Sequence, residues 1–250
     1  MSTRTLTPAR LAARCAELPG LDEAELGARI LTALPTHESR PVSLLREWAG
    51  LASRFGAELA DETARSAASG ASTTSGASTT SGASTTTGAS STSVADTLAA
   101  EAGLQIVRAA GGLTRTRLML AQYGTRPPTV RVFGDAVAVA EEVVDLLGWR
   151  DWFPPGSVRD IAVCHEVAHH LLHGRPTAAL KRRLGYVALH MGPITVHGHV
   201  IGADEIVAHS FARAVCRLPK SPMLITLALE EASGIADLAK RPLTNAGKEA

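Results

Sequence analysis

Four tandem copies of a six-residue unit, GASTTS, GASTTS, GASTTT and GASSTS, run from Gly70 to Ser93. The segment holds no charge and no large apolar side chain. Such a stretch cannot bury enough surface to offset its ordering entropy, so it is predicted to be disordered. A Gly/Ser-type coil of this length has an r.m.s. span of about 25–30 Å. The repeat therefore divides the 250-residue chain. A helical N-terminal region (1–65) is expected before a low-complexity linker (66–93). A second folded region (94–240) and a flexible tail (241–250) are expected after it.

Away from the repeat the chain can build a core, since 45% of its residues are apolar and 20% charged. No run approaches the ~18 consecutive apolar residues of a membrane span. Met1 to Thr7 carries no apolar signal core. The net charge is +1, and residues 1–65 hold 8 Arg against 9 acids. This balance argues against direct binding of nucleic acid or of an anionic membrane. Cys15, Cys164 and Cys216 are far apart and form no CxxC pair, so neither a zinc ribbon nor a redox pair is indicated. Reduced cysteines in a cytoplasmic protein are the expectation.

Before the repeat, apolar residues at helical spacing predict three helices: Ala9 to Leu18 behind Thr7–Pro8, Leu21 to Leu34, and a segment opened by Pro41. These helices are expected to form a small bundle or to dock on the second region. After the repeat, Val94 to Gly103 reads as a helix. Leu104–Val107, Thr116–Tyr123 and Thr129–Phe133 read as strands. Asp135 to Leu147 is helical, with Gly148 as its stop. Ser157 and Asp160 form a capping-box signature for a helix from Val158 to His173. Tyr186–His190 and Ile194–Ile201 suggest a hairpin about Gly192–Pro193. Asp204 is placed as the cap of a helix from Glu205 to Arg217, and Ser221–Pro222 opens a last helix to about Lys240.

The chemistry lies in Cys164–His165–Glu166–Val167–Ala168–His169–His170–Leu171–Leu172–His173, which contains HExxH at His165, Glu166 and His169. Two histidines four residues apart share one helix face, so both imidazoles reach one ion. Glu166 then stands beside the ion and serves as general base toward water activated there. Zn2+ is the expected ion, and it needs a third protein ligand and an open position. His173 is excluded, because eight residues span about 12 Å of helix. The extended HExxHxxGxxH pattern is absent, since Gly174 is the ninth residue after His165. Glu205 on the following helix is the better third ligand. His209, four residues on, is expected to hydrogen-bond a ligand. On the residues alone His190, His197 and His199 stay open as alternatives. Tyr186 and these three histidines are also candidates for stabilising an oxyanion.

Residues 94 to 219 resemble the ImmA/IrrE family of zinc metallo-endopeptidases. The resemblance is carried by an opening helix, a short sheet, the HExxHxLLH run at 165–173, Glu205, Ala208–His209–Ser210–Phe211–Ala212 and Leu218–Pro219. His209 stands where the family usually has Asn or Asp, and Val207 where a second Glu is common. The resemblance implies an α+β, zincin-like fold and a His, His, Glu ligand set. It also implies hydrolysis of a cytosolic protein or peptide substrate such as a transcriptional repressor. Two other functions are weighed against it: a catalytically idle zinc-binding regulatory protein, and a DNA-associated regulator reading through its N-terminal helices. The oligomeric state is open.

Overall fold

The computed structural model describes residues 7–72, 93–114, 118–192 and 194–233. Residues 73–92 of the repeat and the expected tail at 241–250 lie outside the described residues. The described chain is mixed α+β and mostly helical. Its helices are α1 (Pro8–Cys15), α2 (Glu23–Thr32), α3 (Val42–Ser72), α4 (Val94–Glu101), α5 (Gly134–Leu146), α6 (Ser157–Leu172), α7 (Arg175–Leu184), α8 (Ala203–Val215) and α9 (Met223–Ser233). Its strands are β1 (Gln105–Ala109), β2 (Ala121–Thr125), β3 (Pro128–Phe133), β4 (Val187–Met191) and β5 (Ile194–His197).

The first three strands form one sheet in the order β1-β3-β2. β1 runs parallel to β3, with Val107 opposite Arg131, and β2 runs antiparallel to it, with Tyr123 opposite Val130. β2 is thus an edge strand. It begins later than the sequence pattern suggests and absorbs Gly124 and Thr125; Arg126 and Pro127 make the turn. β4 and β5 form the expected antiparallel hairpin.

α6 lies between this sheet and α8. Val158, Val163, Cys164, Val167 and Ala168 on it have no exposed surface. A helix apolar on most sides belongs in an interior, where each large buried side chain stabilises by roughly 1.5–3 kcal/mol. α8 packs on α6 with one side and on α3 with the other, and α2 covers α3. Leu31, Leu45, Trp48, Ala49 and Ala52 from the N-terminal helices share one core with Ile206 and Phe211 of α8. Polar ties reinforce this docking: the Trp48 indole donates to the Leu184 carbonyl (3.0 Å), Arg213 pairs with Glu23 (2.7 Å), and Ser210 Oγ donates to the same carboxylate (3.0 Å).

Four local expectations are corrected. Residues 66–72, assigned to the linker, continue α3. There the hydroxyls of Ser66 and Ser69 donate to the carbonyls four residues back, so their polar groups are satisfied within the helix. The Ser157–Asp160 capping box does not form. Gly156, at φ 85°, is the cap residue, Ser157 is already helical, and Asp160 pairs with Arg159. Glu141 of α5 takes over, its carboxylate accepting from the N–H groups of Gly156 (3.1 Å) and Val158 (3.4 Å). Asp204 likewise lies inside the first turn of α8, whose cap residue is Gly202 at φ 84°. α7 was not anticipated, although Pro176 in its first turn, Leu180 and Leu184 on one face and Gly185 after its end are ordinary helix signals.

The α3–α8 approach is set by a glycine. A Cβ on Gly56 would stand 2.3 Å from the Val207 carbonyl oxygen and 3.1 Å from the Phe211 nitrogen, both backbone atoms. One on Gly50, in the same helix, would meet only ordinary contacts at 3.5 Å. Gly56→Ala should therefore destabilise by about 1–3 kcal/mol. Gly50→Ala should be neutral or stabilise by up to about 1 kcal/mol through helix propensity. Urea unfolding of both variants checks this; equal effects at the two positions would show that α3 and α8 are not in such contact.

Candidate metal centre

His165 and His169 lie one turn apart on α6 and project from the same face, as i, i+4 spacing requires. Their Nε2 atoms are 3.0 Å apart. Glu205, in the first turn of α8, reaches across the helix–helix contact. Its Oε2 lies 3.1 Å from His165 Nε2, and its Oε1 3.4 Å from His169 Nε2. Among the described residues these three form the group able to hold a metal ion, with donor atoms all within 4.8 Å of one another. Tetrahedral zinc with bonds of 2.0–2.1 Å needs donors about 3.3 Å apart, so the spacing suits such an ion without rearrangement of the helices.

The electrostatics agree with the geometry. Burial works to raise the Glu205 carboxyl, but hydrogen bonds from His165 and His169 outweigh it and hold the group well below the usual carboxylate range. Burial likewise opposes charge on His169, yet Glu205 beside it raises that imidazole above its ordinary value. A carboxylate that stays charged next to two imidazoles is the donor set a divalent cation replaces protons on. The Glu205 side chain is 48% exposed while His165 is 13% exposed, so the triad opens to solvent on the α8 side.

Glu166, the next residue on α6, lines the same cleft of about 450 Å³. The Tyr123 backbone N–H donates to its Oε2 at 2.7 Å. That N–H points away from β3, because Tyr123 lies on the outer edge of β2. The strand edge therefore fixes the carboxylate beside the triad. The Tyr123 hydroxyl is in turn 2.9 Å from His170 Nδ1, so one residue of β2 touches two residues of the HExxH helix.

His209 is placed differently from its expected role. It faces the site, with its ring edge-on to that of His165 at 4.6 Å between centroids. Its Nε2, however, is bonded to Thr226 Oγ1 of α9 (3.1 Å) and not to a ligand. Burial pushes this imidazole down to about 3, so it is neutral and packs as an aromatic wall. The alternative ligands are elsewhere. His190 bonds Thr195 on the hairpin, His197 lies in β5, and His199 approaches Asp204 at 4.0 Å. Tyr186 packs edge-on against Trp48. None of these four lines the cleft.

The residues that sequence reasoning missed are Tyr123, Thr226 and the 118–122 stretch that walls the cleft. Tyr123 is 43 residues from Glu166, and Thr226 is 17 from His209, so no local periodicity links them. The Thr226 contact is testable. Thr226→Val strips the partner from a buried imidazole nitrogen and should cost about 1–3 kcal/mol of stability. Metal content should stay unchanged, because His209 lies outside the His165–His169–Glu205 group. Denaturant unfolding with elemental analysis distinguishes this from a ligand role, in which the ion would be lost.

No protein-family model matches the chain, and neither does any curated protein or solved structure.

Proposed function

We propose that the protein is a zinc-dependent metallo-endopeptidase in which His165, His169 and Glu205 hold the ion and Glu166 is the general base. The observation that carries this reading is the position of Glu166. It is a carboxylate outside the ligand set, beside it in the same cleft, and oriented by the Tyr123 N–H (2.7 Å). A purely structural site has no need of a base held next to its ligands.

A bound zinc ion supplies Lewis acidity, polarising a carbonyl and lowering the pKa of water toward neutrality. The chain's own residues supply the remainder. Glu166 accepts the proton of the attacking water and returns it to the departing amine, so one carboxylate acts first as base and then as acid. The Tyr123 N–H occupies Oε2 of that carboxylate and so fixes which oxygen is free to receive the proton. His209, buried and neutral behind His165, excludes water from the rear of the cleft.

An extended peptide is the substrate class that fits the surroundings. β2 is the outer strand of its sheet and borders the cleft. The part of that edge not bonded to Glu166 offers backbone groups at the spacing of another extended chain. The half-exposed Glu205 leaves the opposite wall open, which suits a chain passing through better than a small enclosed ligand.

Wild-type protein should carry about one zinc per chain, and His169→Ala and Glu205→Ala should each lose it. Glu166→Gln should keep the ion while its cleavage of a proteome-derived peptide mixture falls by roughly 10²–10⁴-fold. Elemental analysis and mass-spectrometric product mapping read the two parts separately. A wild-type protein that takes up no zinc defeats the metal site. One that holds zinc but cleaves nothing leaves a binding protein instead of a peptidase.

A further inference from the structure

Cys164 and Cys216 are both free thiols, and their Sγ atoms are 3.7 Å apart. Cys164 is on α6, one residue before His165, and has no exposed surface. Cys216 is the residue that ends α8, and it is partly exposed. The two are separated by 52 residues in sequence and meet only because α6 and α8 pack together. The remaining cysteine, Cys15, is the buried last residue of α1 and is a free thiol.

We propose that Cys164 and Cys216 are a redox modification site, closing to an intrachain disulfide that bolts the ligand-bearing helices α6 and α8 together. Two sulfurs 3.7 Å apart are already at contact, and a disulfide needs an S–S distance of about 2.05 Å, so closure asks for roughly 1.6 Å of combined movement. Rotation of two side chains supplies movement of that size without separating the helices.

The chemistry balances with a peroxide as oxidant. Cys216, the partly exposed residue of the pair, attacks one peroxide oxygen through its sulfur and becomes a sulfenic acid, with release of one water. The Cys164 thiol then attacks that sulfur, the S–O bond breaks, and a second water leaves. Two thiols are oxidised by two electrons in all, and one hydrogen peroxide is reduced to two waters. A dithiol reverses the change by exchange. The proposal is independent of the peptidase reading, since it requires only that the two helices pack as they do.

The test uses full-length, zinc-treated protein exposed to hydrogen peroxide, then denatured and alkylated. The expected product has lost two hydrogen atoms, carries a single alkyl group on Cys15, and yields a linked pair of peptides containing Cys164 and Cys216. Dithiothreitol should restore alkylation at all three cysteines. Cys216→Ser, at a partly exposed position, should fold and leave Cys164 alkylatable. The oxidised wild type should melt at a higher temperature than its reduced form, because the bridge closes a long loop in the unfolded chain. The proposal is overturned by alkylation of all three cysteines after peroxide, or by Cys216 stopping at sulfinic acid beside a free Cys164. A bridge between chains, or an oxidised form that melts lower than the reduced one, overturns it too.

Discussion

The packing of α8 against α6 is the contact on which the rest of this molecule depends. α6 alone supplies two imidazoles and a carboxylate on one face, which is an incomplete site. α8 brings Glu205 to 3.1 Å and 3.4 Å from the two imidazole nitrogens, and it does so from its first turn. The same contact places Cys216 beside Cys164 at the other end of α8. Small side chains make the approach possible: Ala203, Ala208 and Ala212 on α8 and Ala168 on α6 are fully or nearly fully buried. Dense interiors transmit displacement, so a shift of α8 along its axis would be felt directly as a change in the spacing of Glu205 from His165 and His169.

This gives the N-terminal helices a structural purpose. α8 is a middle layer, covered on its far side by α3, which is in turn covered by α2. Gly56 lets the α3 backbone lie against the α8 backbone at Val207. Glu23 of α2 takes both the Arg213 guanidinium and the Ser210 hydroxyl, pinning the exposed flank of α8. The N-terminal helices, docked on the second region, thus act as the backing that holds Glu205 in register with His165 and His169.

The start of α6 is controlled by the helix that precedes it. Its first N–H groups are satisfied by Glu141, from the preceding helix, and Arg150 clamps Glu141 and Asp145. A helix whose N-terminus is fixed by a distant carboxylate has its whole register fixed, and with it the direction in which His165 and His169 point. Asp135 does comparable work nearby, its carboxylate accepting the N–H groups of Gly111, Gly112 and Leu113 in the loop after β1. The backbone hydrogen bonds hold that carboxyl below the usual carboxylate range against the opposing effect of burial.

The features written locally were legible in the amino-acid order. HExxH at i, i+4 spacing dictates two imidazoles on one face whatever surrounds them. Gly148 marks a boundary because backbone sterics act within a turn. Glu205 and His209 could be seen to share a helix face for the same reason. What the order of residues left open is everything that depends on which surfaces meet. Ser157 and Asp204 read as caps by type, but left-handed glycines at 156 and 202 set the chain direction and took that place. His209 faced the site as its spacing required, yet Thr226 on a third helix claimed its nitrogen. The grouping of Glu205, and not of His190, His197 or His199, with His165 and His169, and the hydrogen bond from Tyr123 to Glu166, were decided only by tertiary structure. Periodicity acts over the few residues of a helical turn, whereas those contacts join chain segments 40 or more residues apart that only the shared core brings together.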